Sequence, residues 1–369
     1  VPVPTARQRV RDLALTSLRP AGALLARTPW RRRRLLILCY HGVSLADEHE
    51  WNPAMFVSPA RLEARLARLR ALGATVLPLG EALERLWDGT LPPRAVALTF
   101  DDGTVDFLHV ATPILRRHGA PATVYVATAY AGAGVPVFTS ALGYVLWRAR
   151  ATSADVRAFA GEAAPLPIDT PAARERAAQS ILRFAYAQRL DIAARHRLLE
   201  ALGDAVGVDV PALTATGRLQ VMGPDQVRAL PRDLVSVQLH THHHVMPPDA
   251  ARFDEQVAAN RAALAGMGES PEALEHFCYP SGRYHAVALD RLPFLGVQSA
   301  TTTVPGLAAR DTDPLLLPRV VDTMHVTDAL FTAWVEGTAA FLPRRARYRF
   351  APDVVRRPSG PVPAMTAAE

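Results

Sequence analysis

The 369-residue chain predicts an α/β fold built on a parallel sheet or barrel. Three observations carry that reading. Short apolar runs of strand length alternate with segments of helical Leu spacing, the loops between them have ordinary βα lengths, and polar residues gather directly after three of the apolar runs.

The elements follow in order. Leu35–Tyr40 is a continuous apolar run of strand length. A helix is expected over Pro59–Leu72, with Leu62, Leu66, Leu69 and Leu72 on one stripe, Ser58 as N-cap, Pro59 in the first turn and Gly73 as the stop. Thr75–Leu77 is read as a strand, Glu81–Trp87 as a helix closed by Gly89, Ala95–Phe100 as a strand, Val105–His118 as a helix closed by Gly119 and Ala122–Ala127 as a strand. The rhythm then changes. Helical patterns over Ala141–Arg148, Ala172–Gln188 and Ile192–Leu202 suggest a helical insertion over about 135–230, with Pro165, Pro167 and Pro171 marking a break. Strand and helix alternate again from Leu234–Leu239: a helix over Asp254–Ala265, a strand over His276–Tyr279, a helix over Ala286–Leu292, strands over Val297–Ala300 and Leu316–Val321, and a last helix over Asp328–Val335 capped by Thr327.

The net charge of +6 is unevenly spread, and every basic residue is arginine. Residues 1–34 hold nine Arg and one acid, and residues 341–369 hold six Arg and two acids. The body, 35–340, holds 26 Arg against 32 acids. An acidic body argues against a nucleic-acid groove. The expected organisation is a basic extension over 1–34, one catalytic domain over 35–340 and an Arg/Pro-rich tail over 341–369. Two cysteines, Cys39 and Cys278, make no disulfide framework and read as buried thiols in a reducing compartment.

The polar groups that follow strands are Tyr40-His41-Gly42, Asp101-Asp102-Gly103 and the run from His240 to His244. In parallel α/β folds, sites assemble at the carboxyl ends of strands. Two adjacent carboxylates repel unless a cation or a division of labour separates them. His240 and His244, spaced i, i+4, could join one carboxylate in a facial metal triad, leaving the other carboxylate free as a base. Taken singly, Asp-Asp-Gly also fits a turn, the His run a surface metal tract and His41 a strand-end histidine.

Taken together, TFDDG at 99–103, H-T-x-x-H at 240–244 and FCYPSG at 277–282 resemble the polysaccharide deacetylases, the NodB-homology group or carbohydrate esterase family 4. The resemblance implies a distorted (β/α)7-type barrel with a helical insertion. It implies metal-dependent hydrolysis of an N-acetyl group on an amino sugar, a reaction on a carbon–nitrogen bond other than a peptide bond. Carried over by motif, Asp101 resembles the general base, and Asp102, His240 and His244 the ligands of a divalent metal. Zn2+ is the first expectation for that metal, with Co2+, Mn2+ and Ni2+ as alternatives. Tyr279 and Pro280 resemble the substrate-side motif, with the Ser281 N–H helping to hold the oxyanion. His41 is the preferred general acid and His325 the second choice. The family's usual Arg before the Pro, which steadies the catalytic Asp, is missing; Arg319 is the first candidate for that role and Arg283 the second. His242 or His243 could replace His244 if the loop bends differently.

Residues 1–30 contain no continuous apolar stretch of the signal-peptide kind, which favours a cytoplasmic location. The basic, Leu-dotted segment over 7–34 fits either contact with the inner face of an anionic membrane or a solvated arm. The expected partner is an acetylated amino sugar, with no nucleic acid. Rival readings are an amidohydrolase acting on a non-sugar amide and a non-catalytic carbohydrate-binding member of the same fold.

Overall fold

Strand β1, Arg34–Tyr40, shows why its sequence is apolar without alternation: both of its faces are covered. Leu35 and Ile37 point into one apolar cluster, and Leu36, Leu38 and Tyr40 into another. In the computed structural model, which describes residues 5–342, β1 is central to a sheet. The other strands are β2 Thr75–Val76, β3 Ala95–Phe100, β4 Ala122–Val126, β5 Val235–Leu239, β6 His276–Cys278, β7 Ser299–Thr301, β8 Ala308–Ala309 and β9 Val320–Val321. Their order is β7-β6-β5-β4-β3-β1-β8, with β2 also on β3 and β9 also on β1. All pairs are parallel except β1 with β8. The sheet curls until Leu317, just before β9, exchanges backbone hydrogen bonds with Ala300 and Thr302 beside β7. The result is a distorted barrel, as the sequence predicted.

Period-2 alternation then sorts the side chains. Val96, Leu98, Phe100, Val124, Val237 and Leu239 face the surrounding helices. The other parity, through Ala95, Ala97, Tyr125 and Leu317, faces the interior. Continued upward, the same parity places Cys39, Thr99, Asp101, His240, Cys278 and Arg319 at the interior's upper end.

The α-helices of seven or more residues are α1 Ala6–Ser17, α2 Arg19–Leu25, α3 Pro59–Ala71, α4 Leu79–Asp88, α5 Thr112–His118, α6 Phe138–Arg148, α7 Pro171–Ala187, α8 Ile192–Val206, α9 Ala250–Gly266, α10 Ala286–Phe294 and α11 Asp328–Glu336. Ser58 caps α3 by accepting from the Arg61 N–H, and Gly89 and Gly119 end α4 and α5 in the left-handed conformation, as expected. The insertion's helices α6, α7 and α8 share an apolar core of their own, which includes Leu142, Val145, Ile181, Leu199 and Leu202.

Three expectations need correction. The helix expected over Val105–His118 opens with a π-turn, Phe107–Ala111, before α5. Pro113 lacks an N–H, and the Thr112 N–H instead reaches back to the Phe107 carbonyl. The strand expected over Leu316–Val321 is a 3₁₀ turn, Pro314–Leu316, followed by the two-residue β9, because Pro318 cannot donate to a ladder. The basic N-terminal segment is no detached solvated arm. Leu15 and Ala26 are buried, Asp12 accepts from the Thr327 hydroxyl at 2.8 Å, and the fully buried Arg31 donates to the Val335 carbonyl at 2.9 Å. From residue 343 onward, the expected tail lies outside the described residues.

His276, at the start of β6, is buried with Nδ1 2.9 Å from Ser299 Oγ, and burial pushes its pKa down to about 4. An unfolded histidine takes its proton near about 6.5. The folded state is thus disfavoured progressively as pH falls from about 6.5 to about 4, by roughly 3 kcal/mol in all. His276→Gln should flatten this part of the pH–stability profile in thermal unfolding. An unchanged acid slope in the variant contradicts the assignment.

Candidate active site

At the upper end of the barrel the two neighbouring aspartates part company. Asp101 keeps the inward parity of β3. Asp102 adopts φ 71°, as does Gly103, and the chain turns so that the Asp102 side chain enters an open cleft. A Cβ on Gly103 would come within 2.7 Å of Val126, so this turn requires glycine on steric as well as conformational grounds. Non-glycine residues with positive φ recur at Thr241, His244 and Ser281. Such conformations cost energy and concentrate where geometry serves a site.

Asp101 is 4% exposed and forms a two-pronged ion pair with Arg319, which is fully buried. Arg319 Nη1 lies 2.7 Å from Oδ1, and Nη2 lies 2.7 Å from Oδ2. Both cysteine thiols approach the same Oδ2, Cys39 at 3.5 Å and Cys278 at 3.4 Å. Burial pushes both thiols up, so each keeps its hydrogen as a weak donor. Burial alone would raise the Asp101 pKa as well, but the Arg319 guanidinium outweighs it and holds the carboxyl far below the usual carboxylate range. His41, directly after β1, places Nε2 3.8 Å from Asp101 Oδ2 and lines the cleft.

Asp102 Oδ1 lies 3.3 Å from the Nε2 atoms of both His240 and His244. His240 Nδ1 is 2.8 Å from the Cys278 carbonyl, which can only accept. Nδ1 thus carries a hydrogen, and in the neutral ring Nε2 is the atom that offers a lone pair toward Asp102. These three ligand atoms lie within 4.8 Å of one another, a spacing that a shared proton or a metal cation can bridge. The donor set suits a divalent metal with open positions. The His240 main chain is fixed by the buried Asn260, whose Oδ1 accepts from the His240 N–H at 2.9 Å while its amide donates to Val126 O and Thr128 Oγ1.

Several expected residues lie elsewhere. Tyr279 is fully buried, its hydroxyl donating to the Leu315 carbonyl at 2.9 Å and its N–H to the Thr301 carbonyl. Pro280 is buried beside it, and Ser281 sits on an exposed turn. None of the three is among the residues that line the cleft, and neither are the buried Asp101 and His240. Arg319, the first candidate for the arginine that steadies Asp101, is found in that place, shut inside the barrel on Asp101 and not among the residues that line the cleft. His325 is exposed and outside the cleft lining, whereas His242 and His243 lie on its rim, held to Thr128 and Gln256.

The cleft itself has a volume of about 360 Å³. Its walls include Trp51, Tyr130 and two insertion residues, Tyr186 and Arg195, none of which was singled out from sequence. Asn260 did leave a signal. It stands on the buried stripe Phe253, Val257, Leu264 of α9, where a polar side chain implies a buried partner.

Comparison with known proteins agrees with this picture. The sequence profile described as polysaccharide deacetylase matches residues 88–156. The poly-beta-1,6-N-acetyl-D-glucosamine N-deacetylase of Escherichia coli K12 is 34% identical over 101 residues, which are 27% of this chain and 15% of that protein. The chain thus spans only a small part of that relative's length. The structure is similar to IcaB from Ammonifex degensii, with a TM-score of 0.53, 18% identity, and coverage of 82% of this chain and 97% of that one. It is also similar to the Streptococcus pyogenes deacetylase PplD, with a TM-score of 0.52, 19% identity, and coverage of 80% and 96%. These likenesses bear out the barrel and the family resemblance read from the motifs.

Breaking a buried ion pair by removing one partner strands the other charge, at a cost of roughly 3–5 kcal/mol. Arg319→Met should lose about that much stability in urea unfolding, and adding Asp101→Asn should restore at least half of the loss. Costs that simply add, or an Arg319→Met loss below about 1 kcal/mol, would show that the pair does not hold this end of the barrel.

Proposed function

We propose that this relative of the polysaccharide deacetylases is a metal-dependent hydrolase. It removes the N-acetyl group of an amino sugar in a polysaccharide, glycolipid or sugar precursor, releasing acetate and a free amine. The observation that carries the reading is the convergence of Asp102, His240 and His244 in one cleft with His41, directly above the Asp101–Arg319 pair.

Asp102, His240 and His244 are the proposed ligands. A divalent cation held there, Zn2+ in the first instance, would polarise the acetamido carbonyl and acidify the attacking water. Asp101 is the proposed base. Arg319 keeps it ionised and able to accept a proton, but also makes it a weak base that gives the proton up readily. His41, 3.8 Å away, is placed to protonate the leaving nitrogen once the C–N bond breaks. The cleft-lining position of His41 favours it over His325 for this role. Intact ligand and base residues speak against a non-catalytic protein, and the aromatic walls of Trp51 and Tyr130 suit a sugar ring.

The proposal extends to location. Val10, Leu13 and Leu24 on α1 and α2 are 68%, 70% and 66% exposed, and Arg9, Arg11 and Arg19 lie on the same two helices. No described helix is long and apolar enough to cross a membrane. Exposed apolar side chains among arginines suit contact with an anionic lipid surface, here the inner face of the membrane.

The test is acetate release from free, oligomeric, nucleotide-linked and lipid-linked acetamido sugars, the last in anionic vesicles, with and without chelator. Release that chelator abolishes and added Zn2+ restores, together with co-sedimentation on anionic but not neutral vesicles, is expected. Chelator-resistant release, or release from non-sugar amides alone, overturns the catalytic reading. Equal recovery with both vesicle types overturns the membrane reading.

A further inference from the structure

The insertion does more than decorate the barrel. Helices α7 and α8 carry Tyr186 and Arg195 to the wall of the same cleft that His41 and Asp102 line. The Arg195 guanidinium carbon lies 5.0 Å from the centre of the Tyr186 ring, so the aromatic face holds the cation in place. Arg195 Nε is buried from solvent and has no hydrogen-bond partner. No ion pair among the described residues includes Arg195, although arginines 218, 291 and 319 each have a carboxylate partner. A buried donor left unmatched is costly, and a guanidinium fork matches phosphate or carboxylate oxygens in two-pronged geometry.

A second feature points the same way. Val137, Thr139 and Ser140, at the start of the 11-residue helix α6, line this cleft, and no side chain caps that helix. Its first N–H groups add a partial positive charge to the same wall.

We propose that Arg195, held by Tyr186, forms an anion subsite that selects amino sugars carrying a phosphate or carboxylate next to the acetylated residue. This deepens the function proposed above and rests on it for the identity of the sugar. The acetamido group occupies the Asp102 end of the cleft. The anionic substituent lies toward the insertion, where its oxygens accept from the outer guanidinium nitrogens of Arg195. A glycosyl phosphate, as in a nucleotide or lipid carrier, and a neighbouring uronate share this chemistry.

The probes are N-acetylglucosamine 1-phosphate, a nucleotide diphosphate N-acetylglucosamine, an acetamido-sugar–uronate disaccharide and the neutral N-acetylglucosamine trimer. Equilibrium binding by calorimetry is measured beside acetate release, on wild type, Arg195→Gln and Arg195→Lys. Wild type should bind at least one anionic probe about tenfold or more tighter than the trimer. Arg195→Gln should lose that preference, with the change in KM rather than kcat, and Arg195→Lys should regain part of it. Preference for the phosphates or for the uronate identifies the source of the anion. Equal binding of anionic and neutral probes to wild type overturns the subsite, as does an Arg195→Gln variant that keeps the preference. If no probe releases acetate, the deacetylase reading fails on its own, while binding still decides the subsite.

Discussion

The two-pronged bond between Arg319 and Asp101 is the constraint around which the upper barrel is built. A charge pair with almost no solvent exposure needs a polar enclosure, and the interior parity of the strands supplies it: Thr99 from β3, Cys39 from β1, Cys278 from β6 and Tyr125 from β4. The pair occupies both oxygens of Asp101 and keeps that carboxylate from competing for a cation. It thereby solves the problem posed by two adjacent aspartates. One is neutralised by a guanidinium from the far end of the chain, and the other is turned outward by a left-handed backbone toward two imidazoles.

The same division organises the functional proposal. Below the cleft floor, the charge is fixed and paired. Above it, the Asp102 carboxylate and two imidazole nitrogens converge. His41 stands at the boundary, touching the paired side and facing the open one. The insertion contributes the remaining wall from a separately packed helical core, so cleft shape and cleft chemistry come from different parts of the chain.

Much of this was legible in the sequence. Strands covered on both faces leave continuous apolar runs, helix stops leave glycines, and polar residues after β1, β3 and β5 mark the site edge. What was not legible depended on distance along the chain. Arg319 is the exception: the motif's missing arginine pointed to it, although it lies 218 residues from Asp101 and only closure of the barrel brings them together. Tyr279 reads as a site residue because it stands in the segment that resembles a family motif, yet its parity sends it among the packing helices. The thiols of Cys39 and Cys278 read as inert core, and burial was correct, but their contact with one carboxylate oxygen needs the curled sheet. Nothing in the spacing of Tyr186 and Arg195 hints at a cleft, because their placement follows from how the insertion folds back over the barrel mouth.

The central claim is that neighbouring carboxylates do different work. The most direct measurement compares metal content and acetate release in wild type, Asp101→Asn and Asp102→Asn at saturating metal. Asp101→Asn should bind metal as wild type does and lose roughly 10²–10⁴-fold in turnover, whereas Asp102→Asn should lose metal affinity as well. Full turnover in Asp101→Asn, or undiminished metal affinity in Asp102→Asn, would contradict the account.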